Sequence, residues 1–205
     1  MPPRKPRKAP YHHGNLKETL IESALGLIAG QGPAGFTLRE VARRAGVSHN
    51  APYRHFRDKQ ELLAEVAAQG FDRLTESMQE ALAAGTGPLD RFRLSGRGYV
   101  AFALRWPEHF AVMFETHLAH EKYPQLAAAG ARAFEVLTSL VRACQAAGLL
   151  REGDTERYAL LAWSLVHGIA KLATGGQFPS SSKKNVLEFC DFATDSLARG
   201  IARAR

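Results

Sequence analysis

Between Thr37 and Lys59 the chain gathers side chains suited to recognition rather than reaction. They are hydroxyls at Thr37 and Ser48, guanidiniums at Arg39 and Arg54, the run His49-Asn50-Ala51, the rings of Tyr53 and His55, and the ammonium of Lys59. A guanidinium can pair bidentately with guanine, a carboxamide with adenine, and a methyl group can touch the methyl of thymine. Hydroxyls, helix-start amides and ammonium groups hold phosphate. A second set is aromatic and sulfur-bearing: Tyr99, Phe102, Trp106, Phe110, Met113 and Phe114 recur at near-helical spacing, followed by His117, with Trp163 and His167 one turn apart further on. Such a set can surround an apolar pocket with a few polar handles. It can equally be the buried stripe of helices, and the pattern leaves both readings open.

Reactive chemistry has little support. His117, His120 and Glu121 offer one helix face to a metal, but a third strong ligand at matching spacing is missing. GxSxG, P-loop and HExxH patterns are absent. The chain is therefore read as no enzyme, with no metal and no cofactor. Cys144 and Cys190 stand far apart, which reads as two reduced thiols of an intracellular protein. The apolar stretch after the basic N-terminus is interrupted by Lys17, Glu18 and Glu22, so no signal-peptide core forms. The longest uncharged apolar run, Ala159 to Ala170, is too short for a bilayer. A cytoplasmic protein with no membrane partner is expected.

Charge separates the two ends. Residues 1–62 carry eleven Lys and Arg against five acids, a surplus of six within a chain whose net charge is +7. The part that seeks a polyanion is at the front; the competing reading is a merely solvated basic face.

The elements that must position these residues are helical throughout. Residues 1–10, rich in proline and cations, read as a disordered arm, either lying in a minor groove or only solubilising. Asn15 with Glu18, Thr37 with Glu40, and Asp58 with Glu61 form three capping-box signatures. They predict a helix from about residue 16 to the Gly30–Gly35 cluster, a short helix carrying Leu38, Val41 and Ala42, and a long helix from Asp58 to about Ala84. Gly46 supplies the turn and Ser48 caps a helix running to about Phe56, which is read as core. Beyond Gly85–Pro88, five amphipathic segments follow at 89–105, 107–119, 123–147, 154–174 and 183–203, without an internal repeat. The fold expected is all-α, about nine helices, with a three-helix helix-turn-helix head at 11–57 on a helical body at 58–205.

The run Phe36-Thr37-Leu38-Arg39-Glu40-Val41-Ala42-Arg43-Arg44-Ala45-Gly46-Val47-Ser48, with Tyr53-Arg54-His55-Phe56-Arg57-Asp58-Lys59 and Leu62-Leu63, resembles the TetR family signature. The resemblance implies that Arg39 reaches a base edge, that Thr37, Ser48, Tyr53, His55 and Lys59 face phosphate, and that His49, Asn50 and Ala51 open the recognition helix. Thr37 and Ser48 are also fully explained as caps. Pro52 departs from the apolar residue common at that position, which leaves the frame of the recognition helix open. Trp163-Ser-Leu-Val-His167-Gly168 and Tyr11-His12-His13-Gly14 are similar to elements of a Trp-His-Gly subclass of the same family.

This resemblance implies a homodimer through residues 154–203. Leu160, Leu161, Leu165 and Ile169 would pair there with Val186, Phe189, Ala193 and Leu197. The partners implied are a near-palindromic DNA operator and a small apolar or aromatic effector that releases it. An architectural DNA-binding protein that senses nothing is the alternative.

Overall fold

The computed structural model describes residues 16–179 and 182–203. The arm, the Tyr11–Gly14 element and the Asn15 cap fall outside them. The described residues form eight α-helices: α1 (Leu16–Gln31), α2 (Leu38–Arg44), α3 (Lys59–Leu82), α4 (Pro88–Arg105), α5 (Pro107–Glu115), α6 (Pro124–Ala146), α7 (Thr155–Thr174) and α8 (Lys183–Gly200). Two 3₁₀ turns lie at Pro52–Arg54 and His120–Lys122. Among the described residues the only β pairing is an isolated bridge between Leu150 and Ala202. The chain divides into two compact units, a head up to Leu62 and a body from Leu63 onward.

In the head, α1 buries Leu20, Ile21, Ala24 and Ile28, and α2 buries Leu38, Val41 and Ala42. Phe36 and Phe56 complete this core. The Thr37 box is formed in full: the Glu40 amide donates to the Thr37 hydroxyl at 3.3 Å, and the Thr37 amide donates to the Glu40 carboxylate at 2.8 Å. These bonds satisfy two amides at the helix start that would otherwise lack acceptors. Gly46 ends α2 at φ +70°, where a side chain would be strained, and lets the Val47 amide reach the Ala42 carbonyl at 3.0 Å.

The expected helix from Ser48 to Phe56 is wound differently. The Ala51 amide closes a turn onto the Ser48 carbonyl at 2.9 Å, and Pro52–Arg54 forms a 3₁₀ turn closed by Arg54 onto Ala51 and by His55 onto Pro52. Pro52 has no N–H, so the bond that would close an α-turn onto Ser48 cannot form, and the tighter pattern takes over. This accounts for eight α-helices where the spacing suggests nine. The box at Asp58 is half formed. The Glu61 amide donates to Asp58 at 2.9 Å, but the Glu61 carboxylate turns back to the Arg57 amide at 2.6 Å and so caps one residue earlier.

In the body, α4 is the central helix and packs against α6, α7 and α8. Its Gly98 permits close contact with α3: a Cβ there would sit 2.7 Å from the Ser77 carbonyl oxygen and 2.8 Å from the Met78 Cα. The Ser77 hydroxyl donates to the Gly98 carbonyl at 3.0 Å across the same contact. Arg93 and Arg97 of α4 form ion pairs with Asp195 and Asp191 of α8. Phe92, Leu140, Val141, Cys144, Leu150, Ala159 and Ala198 form a buried apolar cluster in the body. The breaks at Trp106-Pro107 and after Gly153 fall where the sequence places them. The segments expected to reach Ala119 and Arg203 end earlier, at Glu115 and Gly200.

Candidate functional site

The first candidate site is the outer surface of the head. Thr37, Arg39, Ser48, His49, Asn50, Tyr53, Arg54 and His55 are all exposed there, with Tyr53 52% accessible. The turn at Pro52–Arg54 puts Tyr53 and Arg54 outside while Ala51 and Pro52 face inward.

Three residues are employed differently from the sequence reading. Ala51 is buried, so its methyl group packs in the head core rather than meeting a base. Lys59 is half-buried: its ammonium donates to the Ala34 carbonyl at 2.8 Å and lies 4.3 Å from the centre of the Phe36 ring. Burial pulls its pKa below the usual lysine value, with the Glu40 carboxylate acting the other way. The Thr37 hydroxyl accepts from the Glu40 amide and donates to the Glu40 carboxylate, so its one proton is spent within the cap. That hydroxyl is the first cause of a lowered Glu40 pKa.

The second candidate site is a cavity of about 370 Å³ inside the body. Phe71, Leu74 and Met78 of α3 form one wall; Tyr99 of α4, Met113 and Phe114 of α5, and Trp163 of α7 form others. The wall of α6 is made of Ala127, Gly130, Ala131, Ala133, Phe134 and Leu137, and His120 stands at an exposed edge. The space exists because α6 presents small side chains where a leucine or phenylalanine would reach α3.

Behind the wall lies a polar relay. The Trp163 indole donates to the Tyr99 hydroxyl at 3.1 Å, and that hydroxyl lies 2.8 Å from His167 Nδ1. The indole can only donate, so the Tyr99 oxygen accepts there, and the Tyr99 proton has His167 Nδ1 as its acceptor in the tautomer that carries the imidazole proton on Nε2. Burial, aided by the charge of Lys171, lowers the His167 pKa in the same sense. Burial also raises the Tyr99 pKa, which keeps the phenol protonated.

Of the aromatic set expected to line a pocket, Tyr99, Met113, Phe114 and Trp163 do so. Phe102 and Phe110 are buried core, and Trp106 stacks beneath Arg105 and Arg73 at 4.4 and 5.3 Å. His117 is exposed and its neighbour His120 takes the edge position; His167 acts through Tyr99. The α3 and α6 residues were missed by sequence reasoning. The signal that could have found them is the stretch Ala127-Ala128-Ala129-Gly130-Ala131, too small to fill the space opposite Phe71 and Leu74.

His109 is a further surprise. It is buried, its Nε2 has no hydrogen-bond partner, and burial, with the charge of Arg73, pulls its pKa down to about 4. Among the described residues no group of three or more His, Cys, Asp or Glu could hold a metal ion. Burial pushes the Cys144 and Cys190 thiols up to about 11 and about 12, which leaves them unreactive near neutral pH.

A third feature is an apolar face on α7 and α8, where Leu160, Leu161, Leu172, Phe189 and Phe192 are exposed. Ile169, Val186 and Ala193, expected on that face, are turned into the core of the body instead. Among the described residues no helix is long and apolar enough to cross a membrane.

Among the described residues, a helix-turn-helix head and a cavity-bearing helical body define the class of helix-turn-helix regulators. Residues 92–197 match the family model described as tetracyclin repressor-like, C-terminal domain, and residues 20–66 match that of bacterial regulatory proteins, tetR family. The chain belongs to the TetR family of transcriptional regulators, which are not enzymes. The transcriptional repressor KstR2 of Mycolicibacterium smegmatis is 28% identical over 82 residues, 40% of each chain. The transcriptional activator FasR of the same organism is 32% identical over 102 residues, covering 50% of this chain and 46% of FasR. The matched stretch thus spans less than half the length of either curated relative. A protein of unknown function from Rhodococcus sp. RHA1 has a solved structure with a TM-score of 0.82 and 38% identity, over 96% of this chain and 100% of that one.

Proposed function

We propose that the protein is a ligand-responsive, cytoplasmic transcriptional regulator. It binds a near-palindromic operator as a homodimer, represses from it, and is released by a small apolar or aromatic effector. The observation that carries the reading is the pairing of an exposed head surface rich in base- and phosphate-seeking side chains with an apolar cavity in the body. A purely architectural DNA-binding protein would have no use for that cavity.

In this reading Arg39, His49 and Asn50 read bases, while Ser48, Tyr53, Arg54 and His55 hold the backbone. Lys59 steadies the loop at Ala34 and Phe36 from inside the head. The exposed leucines and phenylalanines of α7 and α8 pair across a two-fold axis, as an exposed apolar patch requires a partner. Phe71, Leu74 and Met78 lie on α3, the helix that begins at Lys59 in the head. An effector that bound better to a tilted α3 would shift the population away from the DNA-competent form. The name of FasR keeps activation from some promoters as a second mode.

The test is selection of bound genomic fragments followed by mobility shift. One near-palindromic site should emerge, and Arg39→Ala should weaken it at least about tenfold while leaving nonspecific binding nearly unchanged. Failure to enrich any duplex, or equal loss on specific and random DNA, refutes the reading.

A further inference from the structure

The polar inventory of the cavity wall decides what the cavity can hold. No Asp, Glu, Lys or Arg stands in it. An ionised group entering would lose its hydration with no countercharge in the wall. The donors of Tyr99 and Trp163 are both engaged, the indole N–H with the phenol oxygen and the phenol O–H with His167. The buried wall therefore has no free side-chain N–H or O–H to offer a carbonyl or carboxylate. What remains inside is an acceptor lone pair on Tyr99 and the apolar surface of Phe71, Phe114 and Phe134, and the imidazole of His120 is confined to the exposed edge, away from the buried wall. Lys171, whose charge His167 feels, is already paired with Glu115 at 2.6 Å, so that carboxylate is not free to compensate a cationic guest either.

We infer that the cavity selects an uncharged, largely hydrocarbon ligand and rejects acids and ammonium compounds of the same skeleton. This rests on the reading of the cavity as the effector site. A hydroxyl on such a ligand is tolerated, because it can donate to Tyr99 without needing a donor from the wall. A carboxylate or a quaternary ammonium group is not, despite the aromatic faces, because desolvation outweighs cation–π attraction in a wall without a carboxylate.

The test is calorimetric titration of the full-length protein with octanol, octanoate and octyltrimethylammonium at neutral pH. Octanol should bind, and each ion should bind at least about a hundredfold more weakly. Gly130→Leu serves as the control. A Cβ at Gly130 meets only the Phe71 ring, at 3.9 Å, so the side chain enters the space without displacing backbone. Leucine is also the better helix former, so the variant should stay folded with an unchanged or higher Tm while octanol binding falls at least about tenfold. If either ion binds within about threefold of octanol, the inference of neutral selection fails while the cavity remains a ligand site. If no probe binds, or if Gly130→Leu leaves octanol binding untouched, both fall. Octanol binding without release of the operator would sink the effector reading alone and leave the selectivity standing.

Discussion

The head and the body solve opposite problems with the same kind of helix. The head carries its polar groups on the outside, held by short-range devices such as the Thr37–Glu40 box, the Gly46 turn and the Lys59 contact with Ala34. Its interior is packed with Leu20, Val41 and Phe56, each no more than 2% exposed. The body turns this around, with a space inside and several polar groups, among them Tyr99, Trp163, His167 and His109, drawn inward. A surface that must meet a rigid polyanion needs fixed geometry, whereas a chamber for a small guest needs unfilled volume and a wall able to yield. Stability and DNA contact are thus aligned in the head, whereas in the body a void stands where packing would add stability.

The largest expected effect sharpens that contrast. Phe56→Ala removes a ring that is wholly enclosed and should cost about 3–5 kcal/mol, enough to unfold the head. Phe134→Ala removes the same ring from a half-buried wall position beside the cavity and should cost only about 1–2 kcal/mol, because part of its surface already faces open space. Hydrogen exchange resolved by segment would read both. Equal protection losses in the two units would break the distinction between a packed head and a yielding body.

The difference also explains what was legible in the sequence. Caps, turn glycines and the exposed arginines of the head announce themselves by residue type and spacing, because each acts within four or five positions of itself. Pro52 was visible too, but whether it would merely start a helix or convert it to a 3₁₀ turn depends on which residue becomes the cap. The cavity is another matter. It arises where the small side chains of α6 face Phe71 and Leu74 of α3, some sixty positions away, and an Ala-rich helix looks the same whether it packs tightly or leaves a void. Large aromatics mark a core and a pocket wall alike, and here Phe102 and Phe110 are filling while Trp106 is a platform for Arg73 and Arg105. The exposed apolar face was half legible: the family resemblance pointed to α7 and α8, but which side of each helix faces solvent is set by their packing on α4.

His109 supplies the next largest effect, and it belongs to the body alone. Its pKa is pulled from 6.5 to about 4 in the folded protein, so the unfolded chain takes up a proton before the folded one does. Stability from this group is complete above about pH 6.5 and is lost as the pH falls towards 4, by up to about 3 kcal/mol. His109→Leu should remove that part of the acid sensitivity when chemical denaturation is followed across the window. A variant whose stability falls as steeply as that of the native chain would show that other groups carry the dependence, and that the buried imidazole is not the body's weak point.

The smallest effect tests whether the head's outer polar groups serve structure or contact. The Thr37 hydroxyl has both its donor and an acceptor position engaged by Glu40, which assigns it to the cap. Thr37→Ala should therefore cost about 1 kcal/mol of head stability. It should leave the slope of log affinity against log salt for operator DNA unchanged, since no phosphate contact is lost. Thr37→Asp separates the roles further. Aspartate is as good a cap and suits the positive end of α2, but it has no proton for the Glu40 carboxylate, so Glu40→Gln is made with it and stability should then be retained. A negative charge placed against a phosphate would nevertheless weaken binding sharply. If Thr37→Asp binds operator as well as the native chain, position 37 lies away from the DNA backbone and the cap is its whole role. If affinity collapses while stability holds, the hydroxyl serves the cap beside a phosphate, and even in the head a single group can be both scaffold and surface.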